Sequence, residues 1–408
     1  MKITRRGFLG SAVAAPIVAG GVVPAGSAAG ATARRGTARD IIVAAGNGLA
    51  YLDRAFELLS RGGDTLDAAI EVVRGPEDDP EDDSVGLGGL PNEEGVVELD
   101  ACCMHGPTRR AGSVGAVRNI KNVSKVAKAV IEHTGHVMLV GEGAERFAVA
   151  MGFPRENLLT ERSRKIWMLW KESHSSNDWW GPGMSAPGWQ PPRPVPAARQ
   201  WDLHVERLYA RALELGIEPQ FGTSAVRRVL FPPTGTIHCS ALNARGDMSG
   251  ITTTSGLAFK LPGRCGDSPV IGAGCFTDQD VGSAGATGSG EENIKVAGAH
   301  TIVENMRHGM SPLEAGMDAL KRIARTYNND MARLKFVDMT YYVLRNDGAY
   351  AGVSLWEGYS PGEHHQIAVH DGTRARAEDT VTLFKGWSEE FPPTPSLPPE
   401  PASARGLK

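Results

Sequence analysis

Apolar and polar positions along the chain alternate between two periods, and the switches mark out the elements. Ile41-Ile42-Val43-Ala44-Ala45 is a short apolar run of the kind that forms a buried strand. Leu49, Leu52, Ala55, Phe56 and Leu59 recur at helical spacing, and a second helix after Asp64 places Leu66, Ala69, Ile70 and Val73 on one face. Residues 95–104 alternate with period two, with Val97, Leu99, Ala101 and Cys103 on one side, which predicts a strand. A helix from Asn122 to about His133 and a strand from His136 to Val140 follow.

The character changes between Thr160 and Thr234. Trp167, Trp170, Trp179, Trp180 and Trp189 stand among Pro and Gly, with Pro-Pro-Arg-Pro-Val-Pro at 191–196. Apart from a helix over 197–215, the segment reads as a long, exposed connection whose tryptophans serve mainly in packing. Regular pattern resumes at Thr236, with strand-like runs at 236–243 and 248–255 about the turn Arg245-Gly246-Asp247. Ser311-Pro312-Leu313-Glu314 combines an N-cap Ser, Pro at the first helical position and a capping-box Glu, ahead of an apolar face of Leu313, Met317, Leu320 and Ala324. Residues 339–345 and 349–355 form a hairpin about Asn346-Asp347-Gly348. Hairpins with grouped helices predict an α/β layered architecture (α+β in its segregation of strands), rather than a parallel doubly wound sheet.

Composition narrows the function. The 408 residues carry 43 Lys+Arg against 47 Asp+Glu, a net charge of -4, with no basic stripe, so a nucleic-acid partner is not expected. Thr4-Arg5-Arg6-Gly7-Phe8-Leu9, followed by a weakly apolar run from Ser11 to Val23, reads as a twin-arginine export signal, with small-residue cleavage options near Ala31. That run is too short to stay as a membrane anchor, so a periplasmic or extracellular protein is expected. The five cysteines have no metal-ligand spacing and read as buried free thiols with at most one bridge. No dinucleotide fingerprint or phosphate loop is present either, so neither a zinc site nor a bound nucleotide is expected.

Candidate chemistry concentrates between Gly235 and Gly290. A Thr hydroxyl needs a base beside it to act as a nucleophile. Were Thr236 a chain terminus, its own α-amine, titrating at about 7.7–8.0 in model compounds, would be that base. Arg264 and Asp267, three apart in a Gly-rich loop, suit a zwitterionic amino acid: guanidinium to α-carboxylate, carboxylate to α-ammonium. Thr287 and Gly288 could present a hydroxyl and a backbone N–H to an oxyanion. Each feature also has an ordinary structural reading, as strand threonines, a solvated ion pair and Gly-rich turns.

The run Gly235-Thr236-Ile237-His238-Cys239-Ser240 resembles the β-subunit start of the glycosylasparaginase family of N-terminal-nucleophile hydrolases, within the type 2 asparaginase superfamily. The resemblance extends to Asp79-Pro80, to 83–92 (Asp-Ser-Val-Gly-Leu-Gly-Gly-Leu-Pro-Asn), to 95–101 and to 139–144. It implies a four-layer αββα sandwich, self-cleavage between Gly235 and Thr236, and a homodimer of αβ units without cofactor or metal. It further implies Thr236 as nucleophile, Thr254 as the threonine that tunes it, and Thr287 and Gly288 as the oxyanion hole. Arg264 and Asp267, with Gly290, become the substrate-binding positions. With the leader (1–39) and the Pro-, Ser- and Glu-rich, disordered tail (388–408) read from motif and composition, the expected organisation adds a first catalytic segment (40–235, with the variable connection at 160–234) and a second (236–387).

The implied reaction is hydrolysis of the β-amide of an asparagine derivative, foremost N4-(β-N-acetylglucosaminyl)-L-asparagine. A plain L-asparaginase or isoaspartyl peptidase is the nearest alternative, and a non-catalytic exported binding protein a remote one. Three positions depart from the family pattern. Gly235 replaces an Asp before the nucleophile, the run 44–48 lacks a Trp ahead of Asn47, and His105 stands where an acidic residue is common.

Overall fold

The computed structural model describes residues 39–173, 198–359 and 364–388. The export signal, Trp179, Trp180, Trp189, the Pro-rich run at 191–196 and the tail beyond Ser388 lie outside these residues.

The strands are β1 (Ile41–Ala45), β2 (Leu99–His105), β3 (Arg110–Val117), β4 (Met138–Val140), β5 (Thr234–Leu242), β6 (Met248–Leu257), β7 (Cys275–Asp278), β8 (Gly282–Gly288), β9 (Met339–Arg345), β10 (Tyr350–Ser354), β11 (Gln366–His370), β12 (Arg376–Asp379) and β13 (Val381–Thr382). The helices that matter below are α1 (Leu52–Ser60), α2 (Thr65–Asp78), α3 (Val123–His133), α4 (Gly141–Ala150), α5 (Glu161–Glu172), α6 (Ala198–Glu214), α7 (Pro219–Leu230), α8 (Gly290–Val296), α9 (Gly298–Arg307) and α10 (Pro312–Thr326).

One sheet runs β12-β11-β1-β5-β6-β2-β3-β4, and the other β13-β10-β9-β8-β7. Apart from the parallel pairs β3–β4 and β10–β13, neighbours are antiparallel. Strands β5 and β6 lie against β8, so the sheets pack face to face. Helices α1, α2 and α3 cover the outer face of the larger sheet, and α9 and α10 that of the smaller. This is the αββα sandwich, with one apolar cluster under each helical layer.

Local signals explain the element ends. Asp64 caps α2 by accepting from the backbone N–H groups of Leu66 and Asp67. Ser311 and Glu314 form both halves of the capping box of α10. In the β9–β10 hairpin Gly348 takes φ of +86°, as its turn requires.

Several expectations need correction. The strand predicted over 95–104 begins only at Leu99. The Asn92 side chain accepts from the N–H groups of Glu94 and Val96 and holds that stretch in a turn. The strand expected from His136 starts at Met138, because Thr134 Oγ1 accepts from His136 N. The helix predicted from Leu49 opens as a 3₁₀ segment (Gly46–Tyr51) before α1. The buried face of α10 is built by Ala315, Gly316, Ala319, Leu320, Ile323 and Ala324, while Leu313 is exposed.

The largest difference lies at 160–234. Its described residues form α5, α6 and α7, which pack on one another around Ile166, Leu169, Trp170, Trp201, Val205 and Val226. Trp170 stacks on Phe259, ring centroids 4.6 Å apart, just beyond the end of β6. The described tryptophans of the segment are thus packing residues, as their size favours. All five cysteines are free, and four of them are buried.

Candidate active site

Strand β5 delivers Thr236 to the end of the larger sheet, next to the smaller one. The β5–β6 register slips here: Gly235 faces Gly256 and Ile237 faces Thr253, so Thr254 and Ser255 together stand opposite Thr236. Such a bulge bends the strand and re-aims side chains. Its effect is to bring the Thr254 hydroxyl beside Thr236, 3.0 Å between Oγ1 atoms. Thr236 Oγ1 also lies 2.6 Å from the carbonyl oxygen of Gly235, to which Thr254 Oγ1 donates as well. Gly256 N–H donates to Thr254 Oγ1 at 2.7 Å, which leaves the Thr254 proton directed at that carbonyl.

Gly235 has a steric reason. A Cβ at this position would come within 2.3 Å of the Ser84 carbonyl oxygen and 2.4 Å of its Cα. The 82–84 turn, held by bonds from Ser84 N–H and Oγ to Asp82, occupies the space an aspartate side chain would need.

The narrow cleft beside Thr236 is lined by Thr234, Thr254, Gly256, Arg264, Gly266, Asp267, Ser268, Gly288 and Gly290. Six of the eight predicted positions therefore line it: Thr236, Thr254, Arg264, Asp267, Gly288 and Gly290. Gly235 lies behind Thr236 against Ser84, and Thr287 directly precedes the cleft-lining Gly288 on β8, its hydroxyl bonded at 2.9 Å to the Tyr342 hydroxyl of β9.

Electrostatics within the cleft are set by burial. Asp267 is buried, which pushes its carboxyl up to about 6, partly offset by a 2.6 Å bond from Asn293 Nδ2 and by the nearby Arg264 guanidinium. Arg264 donates from Nε and Nη2 to the two carboxylate oxygens of Glu291, at 2.8 and 2.7 Å. Behind Gly256 the fully buried Lys260 donates to the carbonyls of Glu98 and Ser255 at 2.9 and 3.0 Å, and burial lowers its pKa. Gly288 has φ of +119°, and a Cβ there would meet the Asp338 carbonyl oxygen at 2.4 Å, so a glycine is required. Ser289 N–H donates to the same carbonyl, fixing the turn that ends β8.

The positions that sequence reasoning missed are the supports: Ser84, Asn293, Tyr342, Glu291 and Lys260. Each comes from an element distant in the chain or bears no motif of its own. Glu291, in the run Gly290-Glu291-Glu292, was the one within sight. His105 holds Asp64 at 2.9 Å and Thr108 at 2.8 Å and does not line the cleft, so its role is to steady the cap of α2. In the run 44–48 that lacks the Trp, Ala44 and Ala45 lie buried at the end of β1. Buried His238 between the sheets is pushed down to about 3 and stays neutral among Thr252 and Ser240.

A hydroxyl facing a carbonyl, a tuning hydroxyl, and an Arg/Asp pair in one cleft can perform acyl transfer on an amide borne by an amino acid. Comparison with known proteins agrees. A family model described as asparaginase matches residues 22–335. The N(4)-(beta-N-acetylglucosaminyl)-L-asparaginase of Elizabethkingia miricola is 37% identical over 324 residues, covering 79% of each chain. The enzyme of the same name from Rattus norvegicus is 34% identical, covering 67% of this chain and 74% of its own. A probable isoaspartyl peptidase/L-asparaginase 3 of Arabidopsis thaliana is 31% identical, over 73% of this chain and 79% of its own. The chain therefore belongs to the asparaginase family of N-terminal-nucleophile hydrolases and is a glycosylasparaginase-like amidohydrolase.

Proposed function

We propose that the protein cuts itself between Gly235 and Thr236 and then uses Thr236 to hydrolyse the β-amide of N4-(β-N-acetylglucosaminyl)-L-asparagine. The observation that carries this reading is the placement of Thr236 Oγ1 beside the Gly235 carbonyl, with Thr254 donating to that carbonyl's oxygen.

In the first act Thr236 Oγ attacks the Gly235 carbonyl carbon, and the Thr254 hydroxyl steadies the oxyanion. The C–N bond breaks as the proton lost from Oγ reaches the departing nitrogen, leaving an ester on Oγ and a free α-amine. Water then cleaves the ester and releases the Gly235 carboxylate. In the second act the α-amine takes the proton from Oγ as Oγ attacks the substrate's side-chain amide carbon. The glycosylamine leaves with a proton, and water hydrolyses the β-aspartyl ester to aspartate. Arg264 binds the substrate α-carboxylate, Asp267 and Gly290 receive its α-ammonium end, and Thr287 with Gly288 N–H faces the oxyanion. Before cleavage Thr234 still lines the cleft, so the cut also clears room for substrate. The mature unit is an αβ pair assembled as a homodimer and exported by the twin-arginine route to degrade glycoprotein fragments.

Hydrolysis of asparagine or β-aspartyl dipeptides is the second reading, favoured by the Arabidopsis relative's name and by the lack of a Trp ahead of Asn47 in the run 44–48. Turnover of glycosylasparagine, asparagine and a β-aspartyl dipeptide by the same preparation separates the two. A kcat/KM for glycosylasparagine at least about tenfold above the others supports the glycan substrate, and equal values contradict it.

A further inference from the structure

Arg264 is held from outside the cleft. Glu291 grips its side-on edge, accepting from Nε and Nη2, and its carboxylate does not line the cleft, whereas Arg264 does. The Arg264 side chain is 15% exposed and that of Glu291 55% exposed. The Nη1–Nη2 edge is turned inward: a Cβ built on cleft-lining Gly256 would meet Nη1 at 3.2 Å, and one on Gly266 would meet Nη1 at 3.0 Å and Nη2 at 3.1 Å. A guanidinium has five N–H donors in one rigid plane. Glu291 uses Nε–H and one hydrogen of Nη2. What is left is the end-on fork, an Nη1–H beside the second Nη2–H, which still matches a carboxylate with two parallel bonds.

We propose that Glu291 is a positioning residue for substrate recognition: it fixes the plane of Arg264 so that the end-on edge receives the substrate's α-carboxylate. This rests on the reading above, in which Arg264 binds that group. Two consequences of losing Glu291 oppose each other. A freed Arg264 loses its single orientation, which raises KM. Removing a negative charge near a bound carboxylate lowers KM. Exposure decides, because water and salt screen the Glu291 charge from the cleft, while the two bonds that orient Arg264 are lost outright. Glu291 touches no reacting atom, so kcat is unaffected.

The test uses purified, self-cleaved enzyme as wild type, Glu291→Ala, Glu291→Asp, Arg264→Gln and the Arg264→Gln/Glu291→Ala double variant. Each is assayed on glycosylasparagine, with L-aspartate as competitive inhibitor, after a gel and a thermal melt establish equal cleavage and folding. Glu291→Ala is expected to raise KM and the aspartate inhibition constant together, each about tenfold, with kcat held within about twofold. Glu291→Asp restores part of the affinity. In the Arg264→Gln background Glu291→Ala adds nothing, since a residue acting through Arg264 has no effect without it. An unchanged or lowered KM in Glu291→Ala, or the full effect persisting without Arg264, overturns the inference. A wild-type enzyme that turns over no β-aspartyl amide overturns the functional reading instead, and the inference with it.

Discussion

A threonine on a strand is unremarkable, and Thr236 is distinguished by its neighbours: a carbonyl it can reach and a second hydroxyl at 3.0 Å. Thr236→Ala should yield one uncut chain with no turnover, seen on a denaturing gel. Thr236→Ser should cut and turn over more slowly, since the hydroxyl survives. Asp267 gives a pH prediction whose sign differs for binding and stability. Its carboxyl is raised to about 6 by burial; in the proposed role it must be ionised to hold an α-ammonium, so KM should climb as pH falls below about 6. For stability the folded pKa lies above the unfolded one, so the contribution is full below the unfolded value and is lost as pH rises through about 6. Asp267→Asn should therefore raise KM, raise Tm at pH 8 and leave Tm unchanged at pH 4. At this scale the sequence exposed the reactive types but not their supports. Thr287 and Tyr342, or Asp267 and Asn293, are joined only by the fold.

Elements were legible where local chemistry specifies them. The Ser311 capping box and the Asn346-Asp347-Gly348 turn are read from adjacent residues, and both form as expected. Ser311→Ala should cost about 1 kcal/mol by denaturant unfolding. Helices α5 and α7 were less legible because charged residues interrupt their apolar stripes: Ile166, Leu169 and Trp170 sit among Arg164, Lys165 and Lys171. Their faces become apolar only against each other and against Phe259. Strand β2 was overextended because alternation continued through a turn that Asn92 controls. Trp170→Ala should cost about 3–5 kcal/mol in unfolding free energy. It should also impair cleavage, because Phe259 follows the strand that carries Thr254.

For the whole molecule, the proposed cut before Thr236 has a consequence for assembly. Strands β1 to β4 precede Thr236, whereas nearly all of β5, together with β6, β11 and β12, follows it, and in the larger sheet the two sets interleave as β11-β1-β5 and β6-β2. Cut halves should stay joined by these ladders, co-eluting in native buffer and separating only in denaturant. Hairpins and helix grouping made a layered α/β architecture legible, and the family resemblance supplied its four-layer αββα form, whereas the face-to-face contact of β5 and β6 with β8, which assembles the cleft from both sheets, was not legible. The most direct test is intact-mass analysis with amino-terminal sequencing of the purified protein and of Thr236→Ala. Two fragments, one beginning at Thr236, together with a single uncut Thr236→Ala chain, are the predicted result. Active wild-type protein that never shows Thr236 as an amino terminus would contradict the account.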